Sequence, residues 1–346
     1  MAAEKPHPHA MAGRPMSLPT LDDVRAAAAR LYGHAVRTPL VHAATLSERC
    51  GHPVYIKPEC LQRTGSFKFR GAYNRISQLT RAEAAGGVVA MSSGNHAQGV
   101  AAAAALAGLA ATIVMPGDAP AIKRANTRAL GARIVEYQRG REDREEIARA
   151  IVAREGGVLV PPYDDPDIIA GQGTIGLEIA EDAARLGVVV ETVVIPAGGG
   201  GLAAGTSLAI KALTPATRVF VAEPEGFDDH ARSLASGIRS TNERQAGSMC
   251  DALLVPSPGE LTFAINRTTL SGGLVVSEEE VADGVRAAFR DLKLVAEPGG
   301  AVALAALLAG KVPEAAGAVV VVLSGGNVDA ELFCRLIGAG QENSAS

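Results

Sequence analysis

From Val88 onward, short valine-rich apolar runs alternate with longer segments of helical periodicity, and this alternation leaves the chain few architectures. The runs are VVAM, ATIVM, RIVEY, VLVP, TVVIP, RVFVAE and AVVVVLS. AIKRANTRALG, REDREEIARAIVAREGG and SEEEVADGVRAAFRDL are among the helical segments between them. A strand that is apolar at every position needs cover on both faces. Strands separated by helices run parallel and are joined by right-handed crossovers. The fold class is therefore α/β, with mostly parallel sheets flanked by helices. At 346 residues the chain suits two such domains or one large one. Residues 86–160 hold several complete strand–helix units and no phosphate loop, which predicts a small domain there. Residues 17–85 and 161–340 then form a larger, discontinuous one, and VPPYDDPD marks the return crossing.

The net charge of -4 is spread along the chain without a basic stripe, so a small molecule is expected as partner and nucleic acid is not. The stretch VAAAAALAGLAATIVMP from Val100 is rich in alanine and broken by Gly108 and Thr112. It reads as a buried helix followed by a strand, not as a membrane span. Residues 1–16 lack the apolar core of a signal peptide and read as a disordered leader, as residues 341–346 read as a disordered tail. Cys50, Cys60, Cys250 and Cys334 are far apart and form no CxxC pair. Reduced, mostly buried thiols in a cytoplasmic protein are expected.

Two segments carry chemistry. TVVIPAGGGGLAAGTSLAIKAL reads as a strand, then Gly198, Gly199, Gly200 and Gly201, then a helix starting near Leu202. Glycines clear the way for an anion to reach the backbone, and the helix N-terminus supplies unpaired N–H groups and a favourable dipole. The residues alone leave the ligand open. Gly199 to Ala204 also fits a dinucleotide fingerprint, with Glu223 ending the next strand where a ribose-binding acid belongs, and a structural tight turn fits as well. In TGSFKFRGAYNRI, Thr64 or Ser66 can cap a helix running through Ile76. Phe67 and Phe69 flank Lys68, so its amine can be partly desolvated and its pKa lowered, as a Schiff-base lysine needs. A surface lysine on an amphipathic helix is the alternative.

S-F-K-x-R-G-A at Ser66, S-S-G-N-H at Ser92, G-G-G-G-L at Gly198 and S-G-G-N at Ser324 occur in that order. The set resembles the fold-type II pyridoxal-phosphate (PLP) enzymes, the serine/threonine dehydratase and serine racemase family, from about residue 38 to residue 329. The resemblance implies a tryptophan synthase β-like fold and a homodimer, and it displaces the nicotinamide reading. By it, Lys68 forms the internal aldimine, Phe67 packs against the pyridine ring and Asn95 hydrogen-bonds the ring's phenolic oxygen. The phosphate rests on Gly198, Gly199, Gly200, Gly201 and Leu202, and Ser324 meets the pyridine nitrogen. A neutral serine there does not enforce pyridine protonation, which favours loss of a β-leaving group over transamination. The alternative role of Ser324 is to cap a helix over residues 328–336.

In the same frame Ser92, Ser93, Gly94, Asn95 and His96 bind the substrate carboxylate, a capping turn being the plainer reading. His96 is a structural hydrogen-bonder, because the freed Lys68 sits beside Cα as the base. Ser93 matches the second-face base of racemases, where many threonine dehydratases carry alanine. Glu223, the Phe227 carbonyl and Asp229 match the family's divalent-cation ligands, and their hard oxygens suit Mg²⁺ or Ca²⁺; an acidic loop over a helix N-terminus is the alternative. Glu297 in AEPGG either lines the pocket or satisfies a helix terminus. The implied activity is dehydration and deamination of a small 3-hydroxy amino acid such as L-threonine or L-serine. Serine racemisation, 3-hydroxyaspartate or arylserine dehydration, and non-catalytic PLP binding are the alternatives.

Overall fold

The structure, a computed structural model, describes residues 17–92, 94–119, 121–138 and 140–338. The expected leader and tail lie outside these residues, as does Ser93. The strands are β1 (Val41–His42), β2 (Val54–Pro58), β3 (Val88–Met91), β4 (Ala111–Pro116), β5 (Arg133–Tyr137), β6 (Val158–Leu159), β7 (Val190–Pro196), β8 (Arg218–Pro224), β9 (Gly272–Val276) and β10 (Ala318–Leu323). All seven runs read as strands are strands.

Two sheets result, in the orders β1-β2-β10-β7-β8-β9 and β5-β4-β3-β6. Every pairing is parallel except that of β1 with β2. In the larger sheet the chain leaves β7 towards β8 and returns on the opposite side of β7 as β10. In the smaller one it leaves β3 towards β4 and returns on the opposite side as β6. Each reversal is a topological switch point, and the crevice beyond the strands' carboxyl ends there is where open α/β sheets bind ligands. Residues 197–201 follow β7, 324–327 follow β10, 92–95 follow β3 and 160–164 follow β6.

Helices cover both faces, as the valine-rich strands require. Val319, Val321 and Leu323 pack with Val285, Val302 and Leu304 from the helices Glu278–Arg290 and Pro298–Leu308. Val320 and Val322 pack on the other face with Ile175, Ile179 and Ile210. The VPPYDDPD crossing runs straight into the long helix Pro166–Leu186. Asp165 caps it by accepting from the N–H groups of Asp167 and Ile168, and Pro166 stands at the first position, where no N–H is needed. The Val100 stretch divides between the helix Asn95–Leu106 and β4. No helix among the described residues is long and apolar enough to cross a membrane.

Two expectations need correction. All four cysteines are free but only Cys250 is buried; Cys334 is exposed because its helix, Ala330–Gly338, buries only Leu336. Neither Thr64 nor Ser66 caps the helix Lys68–Ile76, whose N-cap position is Phe67. Thr64 is instead held in the left-handed region (φ 65°, ψ 14°), which directs its carbonyl elsewhere.

Arg70, two residues beyond Lys68, is buried in an ion cluster that fixes this helix. Its guanidinium donates to both Glu59 oxygens at 2.8 Å and to Glu178 Oε1 at 2.7 Å. Lys57 of β2 donates to Glu178 and to the Thr38 carbonyl, and Thr38 Oγ1 donates to Glu59. Burial would raise the Glu59 carboxyl, but the Arg70 charge and hydrogen bonds hold it below the usual carboxylate range. Removing one partner of such a pair strands a buried charge. Arg70→Met, which keeps the bulk, is expected to cost about 3–5 kcal/mol in urea unfolding; a loss below about 1 kcal/mol contradicts this.

Candidate active site

The four-glycine run is dictated by its neighbours. A Cβ at Gly199 would lie 2.2 Å from the Tyr163 ring. Gly200 has φ +91°, and a Cβ there would meet His230 Nε2 at 2.5 Å. The Gly199 carbonyl is tied back twice: Thr262 Oγ1 donates to it at 2.7 Å and the Gly259 N–H at 3.2 Å. Asp164 secures that support by accepting from the N–H groups of Glu260 and Thr262. The N–H groups of Gly198, Gly199, Gly200, Gly201, Leu202 and Ala203 make no hydrogen bond among the described residues. Unpaired amides at the start of the helix Gly201–Leu213 form an anion cradle.

Lys68 opens its helix with its chain half-buried. Nζ donates to the Pro162 carbonyl at 2.7 Å and lies 5.2 Å from the Phe67 ring centroid. Burial pushes its amine down to about 8, with no carboxylate to oppose the shift. Lys57, by contrast, is paired with Glu178. A lysine whose amine is lowered towards neutrality at the carboxyl edge of the sheets is chemically suited to act as a nucleophile.

Segment 324–327 is hydrogen-bonded to the lysine segment: the Phe67 N–H donates to Ser324 O at 3.1 Å and the Gly326 N–H to Gly65 O at 2.9 Å. Ser324 is buried, and its hydroxyl makes no hydrogen bond among the described residues. It does not cap a helix, since the next one begins only at Ala330. Asn95 donates to Glu297 Oε1 and accepts from Asn327 Nδ2. Burial and the charge of Asp251 raise the Glu297 carboxyl to about 7, and its Oε2 has no partner. Glu297 takes the N-cap position of the helix Pro298–Leu308 without capping through its side chain, which turns instead to Asn95. Ser92 Oγ accepts from the Gly94 N–H at 3.1 Å. His96 Nε2 lies 2.9 Å from Val160 O, and burial and Lys68 push its imidazole down to about 3, which leaves it neutral.

Glu223 and Asp229 come together with His230, their ligating atoms all within 4.8 Å. The Glu223 oxygens accept from the N–H groups of His230 and Ala231, so the acid also secures a helix N-terminus. Asp229 Oδ2 and His230 Nδ1 are buried without partners, and burial beside Glu223 raises Asp229 to about 7. Phe227 is buried beside them in the chain and its N–H donates to Pro224 O. An unpartnered carboxylate oxygen of Asp229 and an unpartnered imidazole nitrogen of His230, beside the Glu223 carboxylate, offer lone pairs that fit a cation. His230 was missed because a histidine beside an acidic pair carries no spacing signal. Tyr163 and Asn327 were also missed, the first inside a turn read only as a crossing.

The pyridoxal-phosphate dependent enzyme family matches residues 31–325, and this chain belongs to that family. It is 43% identical over 321 residues to an L-threonine ammonia-lyase of Thermotoga maritima, covering 93% of this chain and 79% of that protein. It is also 43% identical over 322 residues to an L-threo-3-hydroxyaspartate ammonia-lyase of a Pseudomonas species, covering 93% and 99%. Among solved structures, maize serine racemase superposes with a TM-score of 0.87 at 34% identity, covering 94% of this chain and 98% of that one.

PLP capture needs the unprotonated amine. The rate at which apo-protein takes up PLP is expected to rise with pH through an inflection near 8 and then level off. An inflection near the ordinary lysine value of 10.5 contradicts the desolvation argument.

Proposed function

We propose that the chain is a PLP-dependent ammonia-lyase that converts a small 3-hydroxy amino acid, L-threonine or L-serine, into a 2-oxo acid and ammonia. The observation that carries this reading is the pairing of an amide cradle at residues 198–203, whose N–H groups have no protein partner among the described residues, with a desolvated Lys68 amine that no carboxylate opposes. When bound, PLP supplies the electron sink for the pair left at Cα.

The cradle, Gly198 to Leu202, holds the phosphate, Phe67 packs on the ring, Asn95 donates to its phenolic oxygen and Ser324 meets its nitrogen. Ser92, Ser93, Gly94, Asn95 and His96 surround the substrate carboxylate, with backbone N–H groups as the donors. Lys68, as a free amine, would take the Cα proton and return it to the departing β-hydroxyl, which leaves as water, and hydrolysis of the dehydrated product gives the 2-oxo acid and ammonia. Neutral His96 takes no part in proton transfer. Ser93 is the residue that opens racemisation as a second outcome on the same scaffold. The two sheets correspond in this reading to a small domain over 86–160 and a large one over 17–85 and 161–340, in a cytoplasmic homodimer.

A Mg²⁺ or Ca²⁺ ion held by Glu223, Asp229 and the Phe227 carbonyl has a structural role here, since those groups lie behind Gly200 through His230. After EDTA dialysis, a cation at 100 times its Kd is expected to restore about 2.7 kcal/mol of stability. An unfolding temperature indifferent to millimolar Mg²⁺ and Ca²⁺ contradicts it.

Lys68→Ala is expected to lower 2-oxo acid formation by at least about 10²–10⁴-fold, the range for a positioned acid–base group. Full activity in that variant rules the assignment out. Serine, threonine, 3-hydroxyaspartate and phenylserine assayed side by side identify the substrate. If L-serine gives D-serine faster than pyruvate, the lyase reading yields to the racemase. A Ser93→Ala variant that keeps elimination and loses racemisation assigns both outcomes to one site.

A further inference from the structure

Asn327, the last residue of the S-G-G-N segment, sits at the centre of a hydrogen-bond chain whose direction is forced. A backbone carbonyl only accepts, so the Asn327 contact with Thr64 O at 2.8 Å is made by its NH₂ group. The same NH₂ reaches the Asn95 side chain at 2.8 Å, which must therefore present its oxygen. The Asn95 NH₂ is then left on the other side, donating one hydrogen to Glu297 and keeping the second free.

The backbone is shaped to make this possible. Thr64 is a non-glycine residue at positive φ, and Gly65 follows at φ +71°, where a Cβ would lie 2.6 Å from Asn327 Oδ1. Strain of this kind persists where the surroundings over-determine it. The surroundings here are the bonds joining 324–327 to 64–67, directly before Lys68.

We infer that Asn327 is a positioning residue: acting through Asn95, it decides which end of that amide faces the cofactor's phenolic oxygen. The inference rests on the PLP reading of Lys68 and Asn95. A donor N–H facing that oxygen favours its ionised form and the visible absorption band; an acceptor facing it favours the protonated oxygen and the near-ultraviolet band.

Asn327→Asp is the diagnostic change, because a carboxylate at 327 donates to neither Thr64 O nor Asn95 Oδ1 and attracts the Asn95 NH₂ instead. Spectra of the holoenzyme are expected to show a lower ratio of visible to near-ultraviolet absorbance, and titration of apo-protein a PLP Kd raised about tenfold, the scale of one hydrogen bond to a charged group. Asn327→Ala, which frees Asn95 without reversing it, is expected to fall between wild type and Asp in both readouts. A purely structural role predicts that the ratio follows each variant's melting temperature and not this order, and that result overturns the inference. If the Asp variant does not fold, Asn327→Ala decides: a lowered ratio supports the inference, and an unchanged ratio with unchanged Kd overturns it. A wild-type protein without a visible band contradicts the cofactor reading itself.

Discussion

The hydrogen bonds that join residues 324–327 to 64–67 hold together a site assembled from segments more than 250 residues apart in the chain. One side of this junction is the carboxyl end of β10, deep in the parallel sheet. The other leads directly into Lys68. Arg70 then secures the helix that Lys68 begins, through carboxylates from two further elements. A flexible lysine with a free backbone would pay the entropy of ordering at each encounter with its ligand. Here the backbone is fixed from both ends, and only the side chain is left to move.

The two lysines near this junction differ in whether a carboxylate opposes their burial. Lys57 is fully buried and Lys68 half-buried, but Lys57 meets a carboxylate and a carbonyl, while Lys68 meets a single carbonyl. Burial without a counter-charge is what makes an amine nucleophilic near neutral pH. The glycine loop mirrors this: its Gly199 carbonyl is satisfied by Thr262 and the Gly259 N–H, while its N–H groups have no partner among the described residues. An amine with no opposing carboxylate and a loop of unpaired N–H groups are the two features on which the PLP reading of this chain rests.

Much of this was legible in the sequence because the signals are local. Valine-rich runs announced the strands, and four glycines before an alanine-rich helix announced the cradle. β1, β2 and β9 carried no such signal: two residues of β1 make no pattern, VYIKP ends in proline, and GGLVV begins with glycines. The capping assignment for Thr64 and Ser66 failed because residue type predicts a cap only where the backbone is free to adopt it; Thr64 is committed to Asn327. Glu297 was ambiguous for the opposite reason. Its sequence neighbours mark a helix start, and its partner, Asn95, lies 202 residues away. Contacts of that kind are set by topology and become visible only with coordinates.

The central claim is that Lys68, and no other lysine, carries PLP. Borohydride reduction of the purified holoenzyme fixes the cofactor to its lysine, and mass spectrometry of the digested product locates it. The account predicts a phosphopyridoxyl group on Lys68, in the peptide that contains Phe67. A label on any other lysine, or none in protein that binds PLP, contradicts it.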